Sequence, residues 1–280
     1  MIAKTTLPKV KVCSIFEVSR AGFYKHKNIQ PVRKDKNELL VAMQLICEDF
    51  SKYGYRRVTK ELHRLGIQVN HKKVRQLMKE NNLLVKRKRS TPKTTDSNHK
   101  LPRYPNLIQD LEVIRVNQVW VADITYVICG KIFLYLALIM DLFSRKIVGW
   151  ELSRNVDTDL TLKALNKAVQ SRREIDGCIH HSDHGSQYLA GIYIERLHQL
   201  GMLPSMGEVG NSYDNAFAES LNKTVKNEEV WINEYETFEQ AYEGIEEFVK
   251  KYNDRRLHSS IGYVPPNEYE QQQLNMMKVL

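Results

Sequence analysis

Cysteine is scarce in this 280-residue chain, and its four cysteines are widely separated. Cys13, Cys47, Cys129 and Cys178 are at least 34 residues apart, whereas zinc sites and small disulfide frameworks contain closely spaced pairs. The sequence therefore excludes a zinc-finger or disulfide-stabilised domain, and we expect all four cysteines to be reduced thiols.

Long hydrophobic runs are also missing. The longest purely apolar run, residues 132–140, is less than half of the ~20 residues that a membrane-spanning helix needs. Met1 is followed by Lys4, Thr5, Thr6 and Pro8 rather than by the apolar stretch of a signal peptide. These absences predict a cytoplasmic protein without a membrane partner.

Acidic residues are few in the first part of the chain, so the charge is unevenly divided. Residues 1–105 contain 25 Lys and Arg against 8 Asp and Glu, whereas residues 106–280 contain 17 against 25. A strongly basic segment attracts phosphates whatever the base sequence, and DNA repels an acidic segment unless its carboxylates hold cations. Because the length favours two domains, we expect a nucleic-acid-binding domain followed by a domain of different function.

Apolar side chains recur with helical spacing in the basic part. From Glu38 they occupy positions 39, 40, 43, 46, 47 and 50, which predicts a helix with one buried face. A second helix should end at Gly66, and Asn70 is a candidate N-cap for a third. The pattern is typical of a helix-turn-helix, which we place at residues 31–85, after a partial helix-turn-helix segment at residues 1–30.

The third helix has polar and basic residues away from its apolar positions, namely Lys72, Lys73, Arg75, Gln76 and Lys79. In a helix-turn-helix such residues enter a DNA groove, although a solvated basic face explains them equally well when they are considered alone. A basic linker at residues 86–108 follows. Its Arg87 and Arg89 are candidates for contacts to the DNA backbone.

Beyond the linker, strands and helices alternate. Residues 119–128, 132–140 and 146–152 predict three antiparallel strands. Short strands at 178–181 and 202–205 are predicted among helices at 157–169, 189–200 and 213–227. Thr237 and Gln240 form a capping-box pattern for a last helix. The second domain is therefore predicted to be α/β.

Three carboxylates in this domain are candidates for chemistry. Asp123 interrupts an apolar and β-branched run, and Asp183 ends a short strand before a glycine turn, where ligand-binding carboxylates of α/β folds gather. Singly, a hydrogen-bonded core aspartate and an Asx-turn explain these two equally well, and Glu219 alone would be a solvated helical side chain. Together the three can surround two divalent cations, an arrangement that serves in-line phosphoryl displacement. Oxygen ligands suit Mg²⁺ or Mn²⁺.

Glu219 shares a predicted helix face with other polar residues. A rotation of 100° per residue places Asn215, Asn222, Lys223 and Lys226 on the face of Glu219 and Phe217, Leu221 and Val225 opposite. Asn215, Lys223 and Lys226 are therefore candidates for gripping substrate phosphates. Plain solubilising charge is the alternative for the two lysines.

Four motifs resemble the transposases of the insertion-sequence-three family, in that family's order. They are Trp-Val-Ala-Asp-Ile-Thr (120–125), Asp-Leu-Phe-Ser-Arg-Lys-Ile-Val-Gly-Trp (141–150), His-Ser-Asp-His-Gly-Ser-Gln-Tyr (181–188) and Tyr-Asp-Asn-Ala-Phe-Ala-Glu-Ser (213–220). The 35 residues between Asp183 and Glu219 match the spacing often found in the superfamily. The resemblance extends to residues 252–259 and back to residues 53–57. One departure is Gly207-Glu208-Val209-Gly210, where many members have Ser-Arg-Lys-like residues.

The resemblance implies a member of the DDE superfamily, which includes retroviral integrases. Residues 109–280 are then a ribonuclease-H-like catalytic domain, a mixed five-stranded sheet with flanking helices and a C-terminal helix. Asp123, Asp183 and Glu219 would be the catalytic residues and would bind two Mg²⁺ or Mn²⁺ ions. The implied reaction nicks the ends of a bacterial insertion element and joins the 3′-hydroxyl to DNA.

The resemblance also implies partners. These are double-stranded DNA of the element ends and the target, further copies of the chain on that DNA, and an upstream-frame helix-turn-helix protein joined by frameshifting. A DNA transposase of bacteria would be associated with the nucleoid. Two other functions stay open: a helix-turn-helix regulator with a non-catalytic second domain, and a nuclease that cuts without joining.

Overall fold

The computed structural model of the chain describes residues 36–85, 104–207 and 215–277. The predicted segment at residues 1–30, the linker residues 86–103 with Arg87 and Arg89, and residues 208–214 lie outside the described residues. In the described ranges, no helix is both long enough and apolar enough to cross a membrane.

The basic part forms three helices, as predicted. They are α1 (Lys36–Asp49), α2 (Tyr55–Arg64) and α3 (His71–Glu80). Helix α2 ends before Gly66, whose φ of 78° favours glycine. The side chain of Asn70 accepts a hydrogen bond of 2.8 Å from the backbone N–H of Lys72 and caps α3. The three helices enclose a core of their own, which also includes Leu257 from the far end of the chain.

The second part contains a five-stranded mixed sheet in the order β3-β2-β1-β4-β5. The antiparallel strands are β1 (Val119–Cys129), β2 (Ile132–Asp141) and β3 (Ile147–Ser153). On the other side of β1, strand β4 (Ile179–Ser182) pairs with it in parallel, and β5 (Leu203–Met206) pairs in parallel with β4. This topology confirms the ribonuclease-H-like fold. The family resemblance implied this fold, whereas the pattern of apolar runs alone predicted only an α/β domain.

Helices cover both faces of the sheet. One face, with Trp120 and Ile139, packs against α4 (Thr158–Gln170), α5 (Ser186–Leu189) and α6 (Gly191–Gln199). The other face, with Val121 and Leu138, packs against α7 (Ala216–Val225) and α8 (Phe238–Arg255). Gly149 of β3 allows α4 to approach closely, since a Cβ there would lie 2.3 Å from the carbonyl oxygen of Ala164.

Several helix boundaries differ from the sequence prediction. The helix predicted at 189–200 is divided into α5 and α6 by the extended backbone of Ala190. Helix α7 begins at Ala216 and continues as a π-helical turn, Lys226–Val230. A 3₁₀ turn (Ser259–Ile261) and helix α9 (Pro266–Met277) follow α8 and were not predicted.

The capping of α8 follows the predicted pattern only in part. Thr237 Oγ1 accepts a 3.2 Å hydrogen bond from the backbone N–H of Gln240, as expected. The side chain of Gln240, however, accepts from the backbone N–H of Glu236 rather than from that of Thr237. The reciprocal bond is displaced by one residue, and the helix still begins where the sequence predicts.

The three-helix unit packs against the end of α8. Asp49 forms ion pairs with Lys251 and Arg255, and the hydroxyl of Tyr53 accepts a 2.7 Å hydrogen bond from the backbone N–H of Leu257. Glu228, which forms a bidentate pair with the buried Arg256 at 2.6 and 2.7 Å, also lies 4.0 Å from the guanidinium of Arg57 in α2. These contacts join the two parts of the chain; the predicted domain boundaries stay a prediction.

Candidate active site

Strand pairing places Asp123 and Asp183 side by side. The last paired residues of the parallel strands β1 and β4 are Ala122 and Ser182, and each is followed directly by one of the two aspartates. Neighbouring parallel strands run in register, so the two carboxylates lie at the same end of the pairing. The sequence expectation that both belong to one site therefore has a geometric basis.

Asp123 is held by hydrogen bonds on both oxygens. Its Oδ1 accepts from the backbone N–H of Ile124 at 2.8 Å, and its Oδ2 accepts from the side-chain amide of Asn222 at 2.8 Å. The residue is not an isolated hydrogen-bonded core aspartate, since a second carboxylate lies beside it. Both the fixed orientation and the proximity are what a cation-binding carboxylate needs.

Asp183 forms the Asx-turn that the sequence allowed and also lies close to a second carboxylate. Its Oδ1 accepts a 3.0 Å hydrogen bond from the backbone N–H of Gly185, which is an Asx-turn. The same half-buried carboxylate lies close enough to Asp123 to perturb its ionisation. The turn therefore orients a carboxylate of the site.

Helix α7 brings Glu219 to the same place. Ala218, Leu221 and Val225 are buried against the sheet, which fixes the helix beside β1 and β2. Glu219 lies on the exposed side of α7, and its charge reaches Asp123. The three predicted carboxylates are thus brought together.

The ionisation of Asp123 reports this crowding. Burial, together with the neighbouring charges of Asp183 and Glu219, raises the pKa of Asp123 to about 8, against the opposing effects of the Ile124 N–H and Lys226. Three carboxylates with little countercharge repel one another. The electrostatics therefore favour binding of a proton or a cation.

The donor set fits a divalent cation in chemistry and charge. All three side chains offer carboxylate oxygens, and the buried Oδ1 of Asn222 has no hydrogen-bond partner in the described structure. In the ranges that the structure describes, no three or more His, Cys, Asp or Glu side chains form a ready metal-binding cluster. The carboxylates are neighbours but do not converge on one point.

Asn222 is a site residue that sequence reasoning missed. It lies three residues after Glu219 on α7, is only 8% exposed and reaches across to Asp123. Its place on the Glu219 face was the available signal. An asparagine in a predicted solvent-facing stripe was not distinguishable from an exposed one by spacing alone.

The other predicted contacts on α7 lie in different surroundings. Lys223 is exposed, whereas Lys226 is half-buried with its ammonium 3.9 Å from the centre of the Tyr126 ring. Asn215 is only 7% exposed, which disagrees with a role in gripping phosphates. Phe217, predicted to lie opposite Glu219 in the core, is 43% exposed because Ala218 occupies the buried position.

Other polar residues of the motifs support the fold. Asp141 is fully buried and accepts hydrogen bonds from the backbone N–H groups of Asn117, Phe143 and Ser144, which shapes the turn between β2 and β3. His181 Nδ1 lies 2.9 Å from Ser205 Oγ and links β4 to β5. These residues position the strands that present the carboxylates.

The candidate DNA-reading residues of α3 all face solvent. Lys72, Lys73, Arg75, Gln76 and Lys79 are exposed, while Val74, Leu77 and Met78 fill the core beneath them. The side chain of Gln76 donates to Glu80 at 2.8 Å. Within residues 36–85, this surface is exposed; its contact with DNA stays a prediction.

Comparison with protein families gives three matches. Residues 34–91 match the family described as HTH-like domain, and residues 114–212 and 200–266 match two families that are both described as Integrase core domain. The first match includes α1 to α3, and the others include all five strands and helices α7 and α8.

Two similar proteins come from Shigella sonnei. The insertion element IS600 uncharacterized 31 kDa protein is 39% identical over 93% of this chain and 97% of its own length. The transposase for insertion sequence element IS629 is 33% identical over 92% of this chain and 90% of its own length. Among solved structures, the HTLV-2 integrase catalytic core domain in complex with magnesium is 15% identical with a TM-score of 0.42, over 55% of this chain and 95% of that one.

Proposed function

The chain belongs to the insertion-sequence-three family of transposases, and on that premise we propose that Asp123, Asp183 and Glu219 form the centre at which it breaks and joins DNA strands. A transposase is in general terms a polynucleotidyl transferase. The observation that carries the proposal is the adjacent placement of Asp123 and Asp183 past the β1–β4 pairing, with Glu219 near enough to raise the pKa of Asp123.

The proposed reaction has two steps at one centre. Water attacks the phosphodiester at the end of the element, and the bond to the 3′-oxygen breaks, which leaves a free 3′-hydroxyl and a 5′-phosphate. That hydroxyl then attacks a phosphodiester of the target DNA and displaces another 3′-oxygen. No covalent bond to the protein is needed in either step.

The three carboxylates would hold two Mg²⁺ or Mn²⁺ ions, which when bound supply activation of the attacking oxygen and stabilisation of the leaving oxygen. Asn222 keeps Asp123 in one orientation through its hydrogen bond. Lys223, which is exposed on the next turn after Glu219, is proposed to contact a substrate phosphate. Lys226 opposes the carboxylate charge, because its ammonium acts on Asp123.

The helical unit is proposed to hold the element end. Its α3 surface of Lys72, Lys73, Arg75, Gln76 and Lys79 would enter the major groove, and Arg87 and Arg89 are proposed to contact phosphates. Several copies on one DNA assembly, and an upstream-frame partner, are proposed as well. The two parts of the chain are in contact, so DNA on α3 is held at a set position relative to the carboxylates.

The test is a strand-transfer assay with the full chain. Labelled element-end DNA is incubated with target plasmid and Mg²⁺, and nicked and joined products are separated on a gel. We expect Asp123→Asn, Asp183→Asn and Glu219→Gln each to reduce both products below a few per cent of wild type, while a gel shift shows unchanged DNA binding. Glu195→Gln, at an exposed glutamate of α6, is the matched control and should retain full activity.

The products also separate the competing functions. Nicking without joining in the wild-type chain would identify a nuclease, and binding without either product would identify a regulator. Cleavage that survives in any of the three carboxylate variants would remove that residue from the centre.

A further inference from the structure

Phe217 is one of several large apolar side chains that are exposed in the described structure. It lies in the first turn of α7, is 43% exposed, and has the guanidinium of Arg145 4.6 Å from its ring centre. An aromatic ring left partly in water loses some of the free energy that full burial would supply. The Arg145 contact covers part of the ring and leaves the remainder open.

The ring borders a cavity of about 340 Å³. Its lining is mainly apolar and aromatic and includes the side chains of Leu142, Phe143 and Tyr269. Among the described residues that line it, Arg145 carries the charge. The Nε of Arg145 is buried without a hydrogen-bond partner in the described structure. A cavity with aromatic walls and a guanidinium that can still donate a hydrogen bond suits a ligand that is both aromatic and anionic.

The cavity lies across α7 from the carboxylates. The exposed residues of α7 form one continuous face, with Glu219 at one edge, Phe217 at the other, and the small side chains of Ala216 and Ser220 between them. An α-helix with its side chains is about 10 Å wide. A DNA strand with one phosphate at Glu219 therefore needs to cross only one helix to reach Phe217.

We infer that this cavity receives an unpaired nucleotide of the DNA substrate, with its base stacked on Phe217 and a phosphate near Arg145. Bases stack on exposed aromatic side chains whatever their sequence, and arginine adds cation–π and phosphate contacts. A protein partner would also fill an apolar cavity. A nucleotide is favoured because the exposed face of α7 connects the cavity to Glu219, and this inference rests on the proposed function of that residue.

The test uses fluorescence rather than activity. Two DNA duplexes carry a two-nucleotide single-stranded extension with 2-aminopurine, one at a 3′ end and one at a 5′ end, and a blunt duplex carries the base internally. The full chain is titrated in without divalent cations. We expect quenching of at least one extended probe, little change in the blunt one, and about five- to a hundredfold weaker binding of that extension by Phe217→Ala.

Two variants make the result specific. Phe217→Tyr retains the ring and should retain the quenching, whereas Ile192→Ala removes an exposed apolar side chain of α6 that does not line the cavity and should have little effect. Equal quenching by wild type and Phe217→Ala, or no quenching of either extended probe, would overturn the inference. A loss of self-association in Phe217→Ala with unchanged quenching would also overturn it and assign the cavity to a second copy.

The failure of this inference is distinguishable from failure of the proposed catalytic centre. Asp123→Asn should quench the extended probe like wild type, because stacking on Phe217 does not need the carboxylate. Loss of quenching in Phe217→Ala therefore supports the inference whatever the strand-transfer assay shows. Strand transfer that persists in Asp123→Asn would count against the centre alone.

Discussion

The side-chain amide of Asn222 donates a 2.8 Å hydrogen bond to Oδ2 of Asp123 and so joins helix α7 to strand β1 inside the candidate site. Because Glu219 lies one helical turn earlier, the same helix supplies both a carboxylate and the group that orients another carboxylate. A donor to a carboxylate also favours its ionised form. If Asp123 holds a cation as proposed, Asn222 would make it a better ligand.

Replacing Asn222 should weaken cation binding. In Asn222→Ala the carboxylate of Asp123 loses its orienting donor and its pKa rises further, so we expect about tenfold weaker Mn²⁺ binding near neutral pH. Isothermal calorimetry on the full chain measures this directly. Asn155→Ala, at an exposed asparagine after β3, is the control and should bind like wild type. Equal affinity in the two variants would show that Asn222 does not support Asp123.

Cation binding should also depend on pH in a predictable direction. Burial and the charges of Asp183 and Glu219 raise the pKa of Asp123 to about 8 in the metal-free protein, so a cation has to displace a proton below that pH. We expect the rise in Tm caused by millimolar Mn²⁺ to be larger at pH 8.5 than at pH 6. Asp123→Asn should lose most of the rise and its pH dependence, and an equal rise in wild type and variant would place the cation elsewhere.

The strands and the neighbouring positions of Asp123 and Asp183 were predictable because they follow from local patterns. Alternating apolar runs specify β1 to β3, and the positions of the aspartates at strand ends are visible in the sequence. Helix α9 begins at Pro266, directly after Pro265, and its weak apolar pattern gave no signal. Its existence depends on tertiary contacts, including a bidentate ion pair of Arg172 with the mostly buried Glu270.

The surroundings of individual α7 side chains were less predictable. A helical wheel gives the faces of a helix but not its rotation against the sheet, so it placed Phe217 in the core and Asn222 in water. The structure rotates the helix so that Ala218 and Asn222 are buried instead. Contacts from 200 residues away, such as Tyr53 with Leu257, were outside the reach of any spacing argument.

Removing charge from α3 should reduce sequence preference more than overall binding. We expect Lys72→Ala, Lys73→Ala and Arg75→Ala in combination to lower the preference for the element end over random DNA, because these exposed residues are the ones proposed to enter the groove. A gel-shift titration with both DNAs at several salt concentrations measures preference and salt dependence together. The matched control removes three exposed lysines of the second part, Lys131, Lys163 and Lys250. The groove assignment fails if both triple variants change the preference equally.

A buried histidine should make the protein sensitive to acid. Burial and the neighbouring His181 lower the pKa of His180 to about 3. Nε2 of its ring lies 2.9 Å from the hydroxyl of Tyr193, within hydrogen-bonding distance. In the unfolded chain this pKa is about 6.5. Between roughly pH 6.5 and 3 only the unfolded state binds the proton, so the free energy of unfolding decreases as the pH is lowered. Above pH 6.5 the effect is absent.

Urea unfolding between pH 4 and 7 tests this histidine. In His180→Gln the free energy of unfolding should fall less steeply with acidification, by up to about 1.4 kcal/mol per pH unit relative to wild type. His198→Gln, at an exposed histidine of α6, should retain the wild-type slope. An unchanged slope in His180→Gln would show that another group causes the acid sensitivity.

The contact between the helical unit and the second part of the chain should contribute measurably to stability. The hydroxyl of Tyr53 is the acceptor for the backbone N–H of Leu257, and both residues are almost completely buried. Tyr53→Phe leaves that N–H unpaired in a buried interface, so we expect a loss of about 1–3 kcal/mol in the free energy of unfolding. Tyr55→Phe is the matched control, since among the described residues its hydroxyl accepts a hydrogen bond from the exposed side chain of Arg56. Equal free energies of unfolding for the two variants would mean that water replaces the lost hydroxyl and that the interface opens in solution.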